Sequence, residues 1–138
     1  MQIGKDYIGV GVGAFILNEK NELLLQKWAV PAEKDHWCIP GGRLEMFELL
    51  EHAVAREAKE ELGVEIEVIR LMGVCDHIIS EENAHWVAMS YLCKIRSGEP
   101  KIMEPDKASD LQWFPLDNLP DHLTITTKKA LADYRKLY

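Results

Sequence analysis

The chain has 138 residues, 47% of them hydrophobic and 28% charged, with 23 acidic against 16 basic side chains and a net charge of −7. That length suits a single domain over residues 1–138, and the acidic balance sets a mostly repulsive field against polymeric nucleic acid. No apolar run approaches the roughly 20 residues of a membrane helix, and the amino terminus shows no apolar export segment, so a cytoplasmic, membrane-independent protein is expected.

From Ile8 to Leu17 small and β-branched residues alternate, with Val10, Val12, Ala14 and Ile16 on one side, which predicts a strand. Asn18 to Asn21 is turn material and Leu23 to Gln26 is again strand-like, so a hairpin is expected between the two. The run from Gly9 to Ala14 also fits a relaxed dinucleotide fingerprint, but no strand precedes it and no helix follows. After the polar stretch Pro31–Asp35, Trp37-Cys38-Ile39 is short and apolar, and Pro40-Gly41-Gly42 forces a turn.

Leu49 to Leu62 is rich in Ala, Glu and Leu, with Leu50, Val54, Ala58 and Leu62 forming an apolar stripe at helical spacing and Gly63 placed to terminate the helix. Strands are predicted from Glu65 to His77 and from Trp86 to Ile95, joined through Ser80 to Asn83, and a short one from Leu111 to Phe114. Thr126 to Tyr138 reads as a closing helix with Ala130, Leu131, Tyr134 and Leu137 facing inward. Mixed strands with one central and one terminal helix give an α+β or α/β/α sandwich. The three cysteines, Cys38, Cys75 and Cys93, lie in strand-like segments and are expected to be reduced and buried. His36, Cys38, Cys75 and His77 lack the paired spacing of a zinc site.

The most informative segment runs from Gly42 to Val64, GRLEMFELLEHAVAREAKEELGV. At 3.6 residues per turn it sets Glu57, Glu60 and Glu61 on one helix face, where like charges destabilise a bare helix by a few tenths of a kcal/mol. Their convergence therefore predicts a cage for a cation. An isolated REAKEE would be read as a solvated helix face, since Glu and Lys are good helix formers; the attached Gly42, Glu48 and Gly63 reverse that reading.

The pattern is Gly42, five residues, Glu48, seven residues, Arg56-Glu57-Ala58, one residue, Glu60-Glu61, one residue and Gly63-Val64, and it resembles the Nudix hydrolase signature at every fixed position. Trp37–Gly42 (WCIPGG) and Trp113–Pro120 (WFPLDNLP) extend the resemblance on both sides. It implies the Nudix fold, a mixed β-sheet held between helices, and a pyrophosphohydrolase that converts a nucleoside triphosphate or related nucleotide into the monophosphate and pyrophosphate. Hydrolysis of ADP-ribose or another nucleoside diphosphate derivative is the second enzymatic reading, and a non-catalytic nucleotide sensor is the reading from another class. The partner implied is thus a small nucleotide, and the family also allows a homodimer.

By the same resemblance Glu57, Glu60 and Glu61, with the carbonyl of Gly41, correspond to ligands of Mg2+, with Mn2+ as a substitute, a hard cation suited to oxygen donors. Glu57 or Glu60 serves alternatively as general base; among the downstream acids Glu81, Glu82, Glu104 and Asp106, Glu104 ranks first from its context. Arg56 and Glu48 fall in supporting positions that hold the carboxylates, and Gly42, Phe47 and Glu104 in positions near the substrate. Trp28, Trp37, Phe47, Trp86 and Trp113 are candidates for stacking on a base, with a core role the commoner fate, and Asp76 and His77 should border the cleft. One departure stands out. Phe47 occupies a position often held by glycine; a phenylalanine resists positive φ, so the loop is expected to take a different path or to bring the ring near the substrate, and Phe47→Gly to shift substrate preference.

Overall fold

The computed structural model describes residues 1–138. The chain forms seven strands, β1 (Gly9–Ile16), β2 (Glu22–Trp28), β3 (Trp37–Cys38), β4 (Gly41–Arg43), β5 (Glu65–Ile79), β6 (Ala84–Ser97) and β7 (Ala108–Pro115), and two helices, α1 (Leu50–Leu62) and α2 (Ile125–Leu137). A short 3-10 turn, Ser80–Glu82, joins β5 to β6.

The strands divide into two sheets. One is mixed, in the order β4-β1-β6-β5, with β1 parallel to β6 and the other pairs antiparallel; the second is antiparallel, in the order β3-β2-β7. The expected hairpin of β1 and β2 does not form. Only the isolated bridge Leu17–Leu23 links them, because β1 spends one edge on β4 and the other on β6. A strand has two edges, and long-range partners have taken both.

Alternation along β1 serves both faces of the mixed sheet. Val12, Ala14 and Ile16 join Ala53, Val54, Ala58 and Leu62 of α1 in one core cluster, while Phe15 packs with Leu23, Leu25, Ala130 and Leu131 in another on the α2 side. This is an α+β sandwich with helices on opposite sides. The predicted stripe of α1 is buried at Val54, Ala58 and Leu62. In α2, Ala130 and Leu131 are buried and Tyr134 stacks on Phe15 at 5.0 Å, but Leu137, expected to face inward, is exposed in the last turn of the helix. Thr124 caps α2 by accepting from the Thr127 amide at 3.4 Å. Cys75 and Cys93 are buried, Cys38 is half-buried and all three are free thiols; burial pushes the Cys93 thiol up to about 12.

The end of α1 fixes the approach of a distant loop. Gly63 adopts φ 71°, ψ 26° and its N–H donates to the carbonyl of Lys59, closing the helix in the left-handed conformation that glycine tolerates best. The last carbonyls of the helix then receive that loop: the amide of Lys101 donates to Leu62 at 3.0 Å and that of Met103 to Glu61 at 3.1 Å. Glu104 is thereby held beside the acidic end of α1. Gly63→Ala should cost about 1–2 kcal/mol, since it forces a Cβ into left-handed backbone and toward the Met103 sulfur. Urea unfolding checks this: a lowered midpoint at unchanged slope is expected, and an unchanged midpoint would count against the cap.

Candidate active site

The glycine turn and α1 meet at Gly42. A Cβ there would overlap the carboxylate of Glu57 and push it aside, so glycine lets the β4 backbone lie against that side chain where it stands. Beside it, the N–H of Gly41 donates to Glu61 Oε2 at 2.8 Å, and Gln26 Nε2 of β2 donates to Glu61 Oε1 at 3.1 Å. Strand, turn and helix therefore converge on two glutamates.

Arg56 binds the rest together. Its Nε and Nη2 donate to Glu48 at 2.6 and 2.9 Å, Nη1 donates to Glu57 at 2.9 Å and to Glu60 at 3.3 Å, and Nη2 also reaches the carbonyl of Arg43 at 3.0 Å. One planar guanidinium thus joins three acids and the glycine strand, an arrangement a lysine's single ammonium cannot reproduce. Hydrogen bonding from Arg56 holds Glu48 down to about 2. Glu48 also accepts from the amide of Glu45 at 3.1 Å, which fixes the loop before α1.

The three glutamates share a helix face, as their spacing requires, yet they do not form a ready cage: no three acidic, His or Cys side chains are gathered closely enough to hold an ion. Each of the like charges takes a separate position. Glu61 turns inward and is 6% exposed, Glu57 lies between Gly42 and Arg56, and the Glu60 side chain is 52% exposed. Burial, followed by repulsion from Glu57, pushes the Glu61 carboxyl up to about 8 against the pull of Gln26 and Gly41. Glu57 is also raised, first by burial, with Glu60 and Glu104 contributing in the same direction. Glu104 acts on both Glu57 and Glu61, a proximity that separates it from the other downstream acids.

A cleft of about 520 Å³ opens beside Gly41, Gly42 and Glu61 and runs across the mixed sheet to Trp86 on β6 and His77 on β5. Trp28 also lines it, whereas Trp37 packs edge-on against Phe114 at 4.9 Å and Trp113 packs against the α1 core. His77 faces the cleft and Asp76 is exposed on the other face, the alternation any strand imposes. Glu48, Arg56, Glu57, Glu60 and Glu104 stand beside the cleft rather than among its lining residues.

Phe47 corrects an expectation. It adopts φ 67° in the loop before α1, so the chain keeps the left-handed turn that glycine would take, and its ring is 99% exposed outside the cleft lining. Two residues that meet the site or the cleft gave little sign of it in the sequence. Gln26 sits in the apolar run Leu23-Leu24-Leu25, where its polarity in a buried strand was the one clue, and Glu33 lies in a polar loop that gave none.

The NUDIX domain family model matches residues 8–134. The chain belongs to the Nudix hydrolase family. It is 32% identical over 121 residues to an ADP-ribose pyrophosphatase of Methanocaldococcus jannaschii, covering 88% of this chain and 70% of that protein. It is 33% identical over 129 residues to human 8-oxo-dGDP phosphatase, covering 89% of this chain but only 38% of the human protein. Among solved structures, a MutT NUDIX hydrolase from Burkholderia pseudomallei superposes with a TM-score of 0.87 at 43% identity, covering 91% of this chain and 97% of that one. This Nudix protein is accordingly a hydrolase of α+β fold, and no helix in it is long and apolar enough to cross a membrane.

The raised Glu61 carboxyl has a consequence for stability. Because the folded state holds this proton more tightly than the unfolded chain, the contribution of Glu61 to stability in chelator is fully present below the ordinary carboxylate value of 4.5 and is lost as pH rises through about 8. Glu61→Gln removes that titration, with Gln26 free to turn its amide and keep a hydrogen bond. Thermal melts in chelator should show the wild type losing ground to Glu61→Gln between about pH 5 and pH 8.5, the gap closing at the acid end. Parallel pH profiles for the two proteins would contradict the assignment.

Proposed function

We propose that this Nudix hydrolase is a magnesium-dependent pyrophosphohydrolase that cleaves a nucleoside triphosphate or related nucleotide to the monophosphate and pyrophosphate. The observation that carries the reading is the Arg56 hub, which sets Glu57 beside Gly42 while Glu61 is anchored to Gly41 at the mouth of the cleft. Glu57 raises the proton affinity of Glu61, and Glu104 raises that of both, so the field of these acids would be relieved by a divalent cation. The available donors, Glu57, Glu60, Glu61 and the carbonyl of Gly41, are all hard oxygens, the set that Mg2+ or Mn2+ accepts. When bound, the ion supplies neutralisation of phosphate charge and acidifies a coordinated water.

The residues of the chain do the positioning. Arg56 and Glu48 lock the carboxylate directions, Gly42 lets phosphate approach backbone closely, and Glu57, Glu60 or Glu104 receives the proton that the attacking water loses. A nucleoside diphosphate derivative such as ADP-ribose is the second reading, supported by the name of the archaeal relative, over most of whose length the chain aligns.

Incubating the protein with magnesium and a panel of nucleoside triphosphates, oxidised nucleotides and ADP-ribose, and identifying products, separates these substrates. Release of pyrophosphate from a triphosphate is expected. Arg56→Lys should lower kcat/KM by about 10 to 100-fold by loosening the glutamates. Turnover that is independent of added metal, or that Arg56→Lys leaves unchanged, would overturn the proposal.

A further inference from the structure

The far end of the cleft holds a polar pair outside the glutamate cluster. His77 Nε2 is closed off from solvent and has no hydrogen-bond partner, an unfavourable condition that folded proteins rarely leave uncompensated. Its neighbour is Glu33 Oε1 at 3.7 Å, beyond hydrogen-bonding distance. Glu33 is pinned in place through its other oxygen, which accepts from the amide of Ile125 at 2.9 Å at the start of α2. Glu33 holds φ 59° and Asp35 φ 67°, so the loop that carries the carboxylate keeps two non-glycine residues in left-handed backbone. An unsatisfied nitrogen and two non-glycine residues in left-handed backbone thus stand side by side on a cleft wall.

The sheet order gives the distance scale. Gly42 and Gly41 lie on β4, and β1 and β6 separate that strand from β5; three strand spacings across the sheet, with a register offset of three to four residues along it, put His77 roughly 17–19 Å from the glycine turn. An extended nucleotide spans that interval from phosphate to base. Charge fixes which end goes where. Glu33, Glu82 and Asp133 line the cleft here against Lys5 and Lys129, and Lys129 is engaged by both oxygens of Asp133 at 2.6 and 2.8 Å. Phosphate is disfavoured at this wall, whereas an uncharged polar edge is welcome. Trp86, the cross-strand partner of His77, packs closely against Gly9 and offers a fixed aromatic surface next to it.

Resting on the nucleotide hydrolase reading above, we propose that His77 and Glu33 form the specificity-determining pair of this enzyme, taking the donor–acceptor edge of the nucleobase. A small outward shift of the Glu33 loop admits that edge: the imidazole donates to a ring nitrogen or carbonyl, and the carboxylate accepts from the adjacent N–H. Ligands without such an edge gain nothing from the pair.

The test measures affinities rather than turnover. Calorimetric titration with α,β-methylene nucleoside triphosphates of the common bases, and with inorganic pyrophosphate as the base-free probe, is carried out in magnesium on wild type, His77→Leu, His77→Gln and Glu33→Gln. His77→Leu should weaken the preferred nucleotide about tenfold and flatten the differences among bases, while pyrophosphate affinity stays within about twofold. His77→Gln, which keeps a donor, should recover part of the loss. An equal loss for pyrophosphate and for every nucleotide, or unaltered base preference in both His77→Leu and Glu33→Gln, overturns the inference. Base-dependent binding that collapses in His77→Leu without any hydrolysis by the wild type would sustain the pair and remove the hydrolase reading, so the two fail separately.

Discussion

The guanidinium of Arg56 is the constraint on which the site depends. It joins Glu48 in the loop before α1, Glu57 and Glu60 on the helix, and the backbone of β4 at Arg43, so the turn and the helix cannot move independently. Without it, Glu57 would face Glu60, Glu61 and Glu104 with no positive partner within the cluster. Such charge-assisted, forked hydrogen bonds are among the stronger polar interactions available at a half-buried position. The rest of the fold delivers parts to this hub: β2 brings Gln26 to Glu61, and the Gly63 cap brings the loop of Glu104 alongside.

The same arrangement sets function against stability. A buried carboxyl held among other acids is costly unless it is protonated or met by a cation, and Glu61 is kept by only two neutral donors. A glutamine would rest there more comfortably, yet it would give up the charge that the proposed metal dependence requires. Strain is stored elsewhere for similar reasons. Phe47 and Glu33 both hold positive φ, one in the loop that presents Glu48 and the other beside the orphaned His77 nitrogen.

Much of this was legible in the sequence where the interactions are local. Helix α1, its apolar stripe and its Gly63 terminus follow from periodicity, and the family resemblance placed Arg56 and Glu48 in supporting positions, although not as partners of one another. Choices among distant partners were not legible. The pattern of β1 and β2 fits a hairpin equally well, and only the competition of β4 and β6 for the edges of β1 decides otherwise. Gln26 and Glu33 come from separate segments, so their places appear only when the sheets are assembled, whereas His77 was expected at the cleft and lines it. At Phe47 a sound preference was overruled, since the contacts of Glu48 with Arg56 and the Glu45 amide outweigh about 1 kcal/mol of left-handed strain.

The central claim is that the acids organised by Arg56 gather a divalent ion against the phosphates of a nucleotide. Anomalous scattering from a crystal grown with manganese and a non-hydrolysable triphosphate tests it most directly. The account predicts a manganese peak bounded by Glu57, Glu61 and the carbonyl of Gly41, in contact with phosphate oxygens. Phosphates bound in the cleft with no ion among those carboxylates would contradict it.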